Sequence, residues 1–207
     1  MAELTVMPMF PLGSVLLRSM LLPLRIFEPR YREMIAACLE GEGRFGVVLI
    51  ERGSEVGGGD VRSRVATIGD IVQAEPFGDG EWFVVVRGGD RVRVVDWLPD
   101  DPYPCARVEP WPDEPSEVDA ATIDAVLARF GAIRELMGRL GHEIGPLPTV
   151  AGDEPSASID LVAAAAPIGA FDRQRLLVAP GAARRAELLI GALDDVAVLL
   201  RAQADEH

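Results

Sequence analysis

Leu22-Pro23-Leu24-Arg25-Ile26-Phe27-Glu28-Pro29-Arg30-Tyr31 is a junction, apolar on one side and helical on the other. Pro29 suits the first turn of a helix, where its missing N–H leaves nothing unsatisfied. From there Tyr31, Met34, Ile35, Cys38 and Leu39 recur at helical spacing, and Gly41 supplies a stop. Glu28 can pair with Arg32 one turn on, or with another nearby arginine. Upstream, Leu12 to Leu24 is apolar and broken by proline, which reads as a strand entering an irregular loop.

Downstream the chain reads as strands. Phe45 to Ile50 is a wholly apolar run suited to burial, and Ser54 to Asp60 is a glycine-rich loop. Strands are expected over Arg64–Ala74, Trp82–Arg87, Arg91–Leu98 and Tyr103–Glu109, with turns at Asp79-Gly80 and Gly88-Gly89-Asp90. Arg91-Val92-Arg93-Val94 alternates, giving one wet face and one core face. Short strands with close turns describe a small curled β domain.

Pro110, Pro112 and Pro115, set among acids, end that region. The expected division is a β domain over residues 1–110, a proline-rich linker over 111–115 and a helical domain over 116–207. In the last, Ile123, Val126, Leu127, Phe130, Ile133, Met137 and Leu140 make one apolar stripe. A loop follows from Gly141 to Pro155. Ser158 and Asp172 read as caps of two short helices. The last helix, from Gly181 to Ala204, turns Leu188, Leu189, Leu193, Val196 and Leu200 inward. The fold class is therefore α+β.

Composition removes much chemistry. Among 207 residues there are twenty arginines and no lysine, a bias that GC-rich coding explains. It leaves no Ser–Lys dyad, Schiff base or Walker A lysine. Only His142 and His207 are available for a triad or a zinc site, and Cys38 and Cys105 lie too far apart for a metal cluster. No cofactor, metal or catalytic residue is assigned. The net charge of −13 divides as −5 through Glu109 and −8 beyond it, so neither half offers the basic footprint of a nucleic-acid or lipid binder. The longest uncharged run, Leu4 to Leu17, has 14 residues against the roughly 20 of a spanning helix. Without a basic n-region the N-terminus is no signal peptide, and two lone thiols fit a reducing cytoplasm.

Met9-Phe10-Pro11-Leu12, then the junction, then Phe45-Gly46-Val47-Val48-Leu49-Ile50 follow one another in a recognisable order. Asp79-Gly80, Gly88-Gly89-Asp90-Arg91-Val92-Arg93-Val94 and Tyr103-Pro104-Cys105-Ala106 continue it. Ile159 to Pro167, Asp172 to Leu177 and Arg184 to Leu188 extend it through the helical half. This order resembles the N-terminal substrate-binding domain of Lon proteases, in its stand-alone bacterial form. One departure is Ala66-Thr67-Ile68-Gly69-Asp70-Ile71, where the family's small residues have exchanged places. The resemblance implies a β-rich PUA-like pseudo-barrel with one helix, followed by a helical bundle. It also implies a binding role for unfolded or extended polypeptide or a protein partner, and leaves the oligomeric state open. It does not imply proteolysis, since the ATPase and protease modules are not in this sequence.

The expected peptide-binding residues are Met20, Leu21, Leu22, Phe27, Glu28, Arg30 and Tyr31. Methionine adapts to many partners, and Glu28 and Arg30 would take polar ends of a bound chain. The structural reading of the same junction is that Phe27 and Tyr31 anchor the helix on the barrel. An enzyme reading would gather Glu28, Asp90, Arg91 and Tyr103 into a polar site, although Asp90 and Arg91 read as hairpin-tip residues. A nucleic-acid reading, suggested by the barrel type, is opposed by the charge. Trp82, Trp97 and Trp111 are candidates for stacking, with Trp111 in the linker read as a pin between the halves. Asp194-Asp195 point about 100° apart on a helix and do not converge.

Overall fold

The computed structural model describes residues 4–53, 60–143 and 155–205. The glycine-rich stretch at 54–59, most of the Gly141–Pro155 loop and His207 lie outside them. The chain divides into two compact units, Met1–Pro112 and Asp113–His207.

The first unit holds β1 (Thr5–Leu12), β2 (Leu21–Ile26), α1 (Pro29–Glu40), β3 (Arg44–Arg52), β4 (Val61–Phe77), β5 (Glu81–Trp97) and β6 (Cys105–Pro110). The strands run in the order β2-β5-β4-β3-β1-β6, and a further pairing of β5 with β6 closes five of them into a barrel. β2 stays outside that ring, paired with β5 from Leu21↔Arg87 to Ile26↔Trp82. The one parallel pair described, β1 with β3, has α1 between its strands in the chain.

Two apolar cores follow from the alternation. Met7, Met9, Val48, Ala66, Val92, Val94, Ala106 and Val108 form one cluster. Phe10, Leu12, Ile26, Phe45, Val84 and Val86 form another with Tyr31, Met34, Ile35 and Cys38 of α1. The helix thus buries the face its spacing predicts, while Leu39 at its end remains exposed.

Three expectations for this unit need correction. Leu21 to Ile26 is a strand rather than loop, because Pro23 costs an edge strand no ladder bond. Gly88-Gly89-Asp90 lies inside the 17-residue β5 and reverses nothing. Gly88 is needed instead for a close approach: a Cβ there would stand 2.0 Å from the Leu17 carbonyl oxygen. Arg91, expected to face water, is buried. Its Nε donates to the Trp111 carbonyl at 2.8 Å and its guanidinium lies 4.2 Å from the Trp111 ring centroid. Those contacts supply what water would otherwise supply.

The second unit contains α2 (Ala120–Arg139), α3 (Pro155–Ala165), α4 (Ala170–Leu177) and α5 (Ala182–Asp205). Asp119 caps α2 by accepting the Thr122 N–H at 2.6 Å. Val126, Phe130, Ile133 and Leu136 are its buried stripe, whereas Leu127 is exposed. Ser158 is no cap, since α3 begins at Pro155, and Gly169 rather than Asp172 precedes α4. Asp172 lies in the first turn of α4 and pairs with Arg175 at 3.2 Å. Buried Arg185 on α5 bonds Asp113 at 2.8 Å and Asp160 at 3.1 Å, so its charge is matched inside the unit.

Candidate functional site

Phe10, Pro11 and Leu12 of β1 face Leu24, Arg25, Ile26, Phe27 and Glu28 across a pocket that Tyr31 completes. Side chains of a strand alternate between faces, so a pocket on one face would meet every second residue. Here three consecutive residues come from each strand, which means that the pocket is approached edge-on. It is a seam between two strand edges. β6 pairs with β1 only over Thr5–Pro8, which leaves Phe10–Leu12 without a strand on that side among the described residues.

The seam holds about 130 Å³. Apolar cavities of roughly 150 Å³ take up a benzene-sized molecule, so one aliphatic or aromatic side chain is the natural content. Tyr31 is buried, with its ring centroid 4.4 Å from that of Phe10. Burial above all pushes its phenol up to about 12. The Arg30 guanidinium lies 4.5 Å from the Tyr31 centroid and bonds Glu28 at 3.0 Å. Arg25 is matched too, by Glu81 at 2.6 Å. The charges at the rim are therefore paired and the interior is apolar.

The structure brings Phe27, Glu28 and Tyr31 to this pocket, with Arg30 on Tyr31. Met20, Leu21 and Leu22 lie elsewhere, because β2 at about 3.3 Å per residue separates its two ends by roughly 17 Å. Leu21 is 58% exposed, and Met20 and Leu22 are half-buried against the α1 core. Reasoning from sequence missed Phe10, Pro11, Leu12, Leu24, Arg25 and Ile26. Recognising Leu21–Ile26 as an edge strand was the signal that would have found half of them.

The four residues of the enzyme reading have four different surroundings. Glu28 is paired with Arg30, and Asp90 with Arg18 at 3.0 Å. Arg91 is spent on backbone carbonyls, and Tyr103 lines a different pocket with Cys38 and Arg44. Burial pushes the Cys38 thiol up to about 11, with the nearby Cys105 adding to the shift, so it is held away from the thiolate form. Cys105 itself is only half-buried. Asp60, Arg62 and Asp100 form a further polar cluster, with Arg62 bonding the carboxylates at 2.6 and 2.7 Å above the Trp97 ring. Burial disfavours the Arg62 cation, yet bonds to Asp100 and Asp60 outweigh it and raise its pKa, so the cluster is a settled ion-pair network. Among the described residues no three His, Cys, Asp or Glu side chains are placed to hold a metal. No described helix is long and apolar enough to cross a membrane.

The profile of the ATP-dependent protease La (LON) substrate-binding domain matches residues 6–195. The chain belongs to that family. A Lon N-terminal domain protein from Xanthomonas campestris superposes with a TM-score of 0.66 at 27% identity, over 90% of this chain and 98% of that one. The N-terminal domain of a Mycobacterium avium complex Lon protease shares the fold, with a TM-score of 0.61 at 19% identity over 92% and 99%. Lon protease 2 of Herpetosiphon aurantiacus is 29% identical over 180 residues, which are 84% of this chain and 22% of that protein. A LON peptidase N-terminal domain and RING finger protein of Schizosaccharomyces pombe is 35% identical over 104 residues, 44% and 21% of the two chains. This member of the LON substrate-binding domain family thus spans about a fifth of those curated relatives.

Proposed function

We propose that this chain is a non-catalytic module that binds unfolded or extended polypeptide, and that it serves as an adaptor for a separate protease or chaperone in the cytoplasm. The β-rich part, to about residue 110, carries the site, and Phe27, Glu28, Arg30 and Tyr31 belong to it. One observation carries this reading: an apolar pocket sized for a single side chain opens between two strand edges, with its rim charges already paired. Such a site selects exposed apolar side chains on a loose backbone rather than one small molecule. The names of the relatives, Lon proteases and a LON peptidase N-terminal domain protein, support the same direction. The scatter of Glu28, Asp90, Arg91 and Tyr103 gives no support to a polar site built from those four residues.

The test uses fluorescently labelled α-lactalbumin, either native or reduced and carboxymethylated. The unfolded form should bind and the native form should not. Phe27→Asp should weaken binding at least fivefold at an unchanged thermal midpoint. Equal binding of both forms, or a variant that binds as tightly as the parent, would overturn the proposal. Hydrolysis of ATP or casein that co-purifies with the protein would overturn its non-catalytic part.

A further inference from the structure

We infer that the guest of the seam joins the sheet as an additional strand along the outer edge of β2, with one aliphatic or aromatic side chain anchored in the pocket. This rests on the polypeptide-binding reading and specifies its chemistry: the protein reads the guest's backbone, at every second residue.

The Gly88 N–H donates to the Met20 carbonyl at 2.9 Å, so that carbonyl faces β5. Period-two alternation then turns Leu22, Leu24 and Ile26 to β5 as well, and aims Leu21, Pro23 and Arg25 at the outer edge. Pro23 fits that phase, having no N–H to give β5. On the other side of the seam the Met9 N–H donates to the Pro104 carbonyl at 2.8 Å, away from β3. The same alternation turns the Pro11 carbonyl away from β3. The outer edge of β2, with Pro11 across the seam, therefore carries carbonyls of Pro11, Leu21, Pro23 and Arg25, while among these four residues only Leu21 and Arg25 have an N–H. It is rich in acceptors and short of donors, which suits a guest that offers amide N–H groups.

A second copy of this chain is the poorer occupant. Two β2 strands related by a two-fold axis at Pro23 would set proline against proline and lose the central bonds. Each copy also carries a net charge of −13, which opposes self-association and favours a guest with basic flanks. The pocket fixes the guest's register. A side chain opposite Leu24 or Ile26 lies on the core side of the sheet, beside Tyr31 and Phe10, and a slip of one residue would turn it away.

The probe is a labelled nine-residue peptide of threonines with one central leucine and a lysine at each end. Two versions are N-methylated at alternate residues, one in each phase, and a third has serine for leucine. Anisotropy titrations should show at least a tenfold loss for one methylation phase, less than threefold for the other, and at least a fivefold loss for the serine peptide. Equal losses in both phases, or no binding of the parent peptide while unfolded α-lactalbumin still binds, would overturn strand addition and leave polypeptide binding intact. Failure of both probes would remove both.

Discussion

Arg30 lies over Tyr31, its guanidinium 4.5 Å from the ring centroid, and burial holds the phenol beneath it neutral. The contact ties the polar rim of the seam to the core under it. Tyr31 is at once a pocket wall and part of the α1 core. Removing its ring would damage both roles, whereas removing its hydroxyl isolates the electrostatics.

That isolation gives a prediction about alkaline stability. Burial raises the Tyr31 phenol from 10.0 to about 12 in the folded protein. Between those values the unfolded chain has lost the proton while the folded one keeps it, so stability falls as pH rises. Below pH 10 the contribution is fully present. Urea midpoints of the parent should therefore drop between pH 10 and 12, and Tyr31→Phe should lose the part of the drop that belongs to this residue. Cys38, raised from 9.0 to about 11, begins the decline earlier and should do so in both proteins. Parallel curves for the two proteins above pH 10 would show that Tyr31 does not titrate as argued.

Gly88 and Gly191 make opposite predictions for the same substitution. A Cβ at Gly88 would meet the Leu17 carbonyl, backbone that cannot swing aside. Gly88→Ala should cost about 3 kcal/mol, read from urea unfolding. Gly191, exposed in α5, has nothing within 4 Å of the added atom. Gly191→Ala should stabilise the protein by roughly 0.5–1 kcal/mol through better helix propensity. The contrast is what distinguishes a glycine kept for space from one merely tolerated.

Gly88 also shows where the sequence stops being readable. The Tyr31, Met34, Ile35, Cys38 face was legible because helical spacing reports burial directly. Gly88-Gly89-Asp90 has turn composition, yet the residue that explains it, Leu17, lies far away in the chain. Arg91 misled for a similar reason, since its carbonyl partners are on Trp111 and Pro112. The pocket was half legible. Phe27, Glu28 and Tyr31 announce a junction, but Phe10 to Leu12 join them only when the barrel closes, which no local pattern encodes.

Leu21 tests how far along β2 the guest extends. It is well exposed at the end of the strand remote from the pocket. Leu21→Asp sets a charge on an edge that a strand-adding guest must follow, and should cost unfolded α-lactalbumin about 1–3 kcal/mol of binding. Stability should change by less than about 0.5 kcal/mol, since the side chain leaves no core position. A variant with unaltered affinity would confine the guest to the pocket end.

Pro23 is the position where strand addition and self-protection meet. An edge strand with all its N–H groups free invites identical copies, and proline is one of the devices that prevents it. Pro23→Val returns a donor to the outer edge, in a residue suited to strands, without touching the side that pairs with β5. The guest's backbone then gains a bond, and the Thr/Leu peptide should bind at least threefold more tightly. The two-fold pairing of β2 with β2 regains its central bonds by the same change, so sedimentation velocity should show concentration-dependent dimers that the parent does not form. The excess charge sets a condition on that result: dimers should strengthen as salt screens the repulsion between copies, while peptide binding, helped by the lysine flanks, should weaken. Opposite salt dependences in one variant would place both events on the β2 edge. A variant that gains neither affinity nor self-association would show that this edge is not where chains are added.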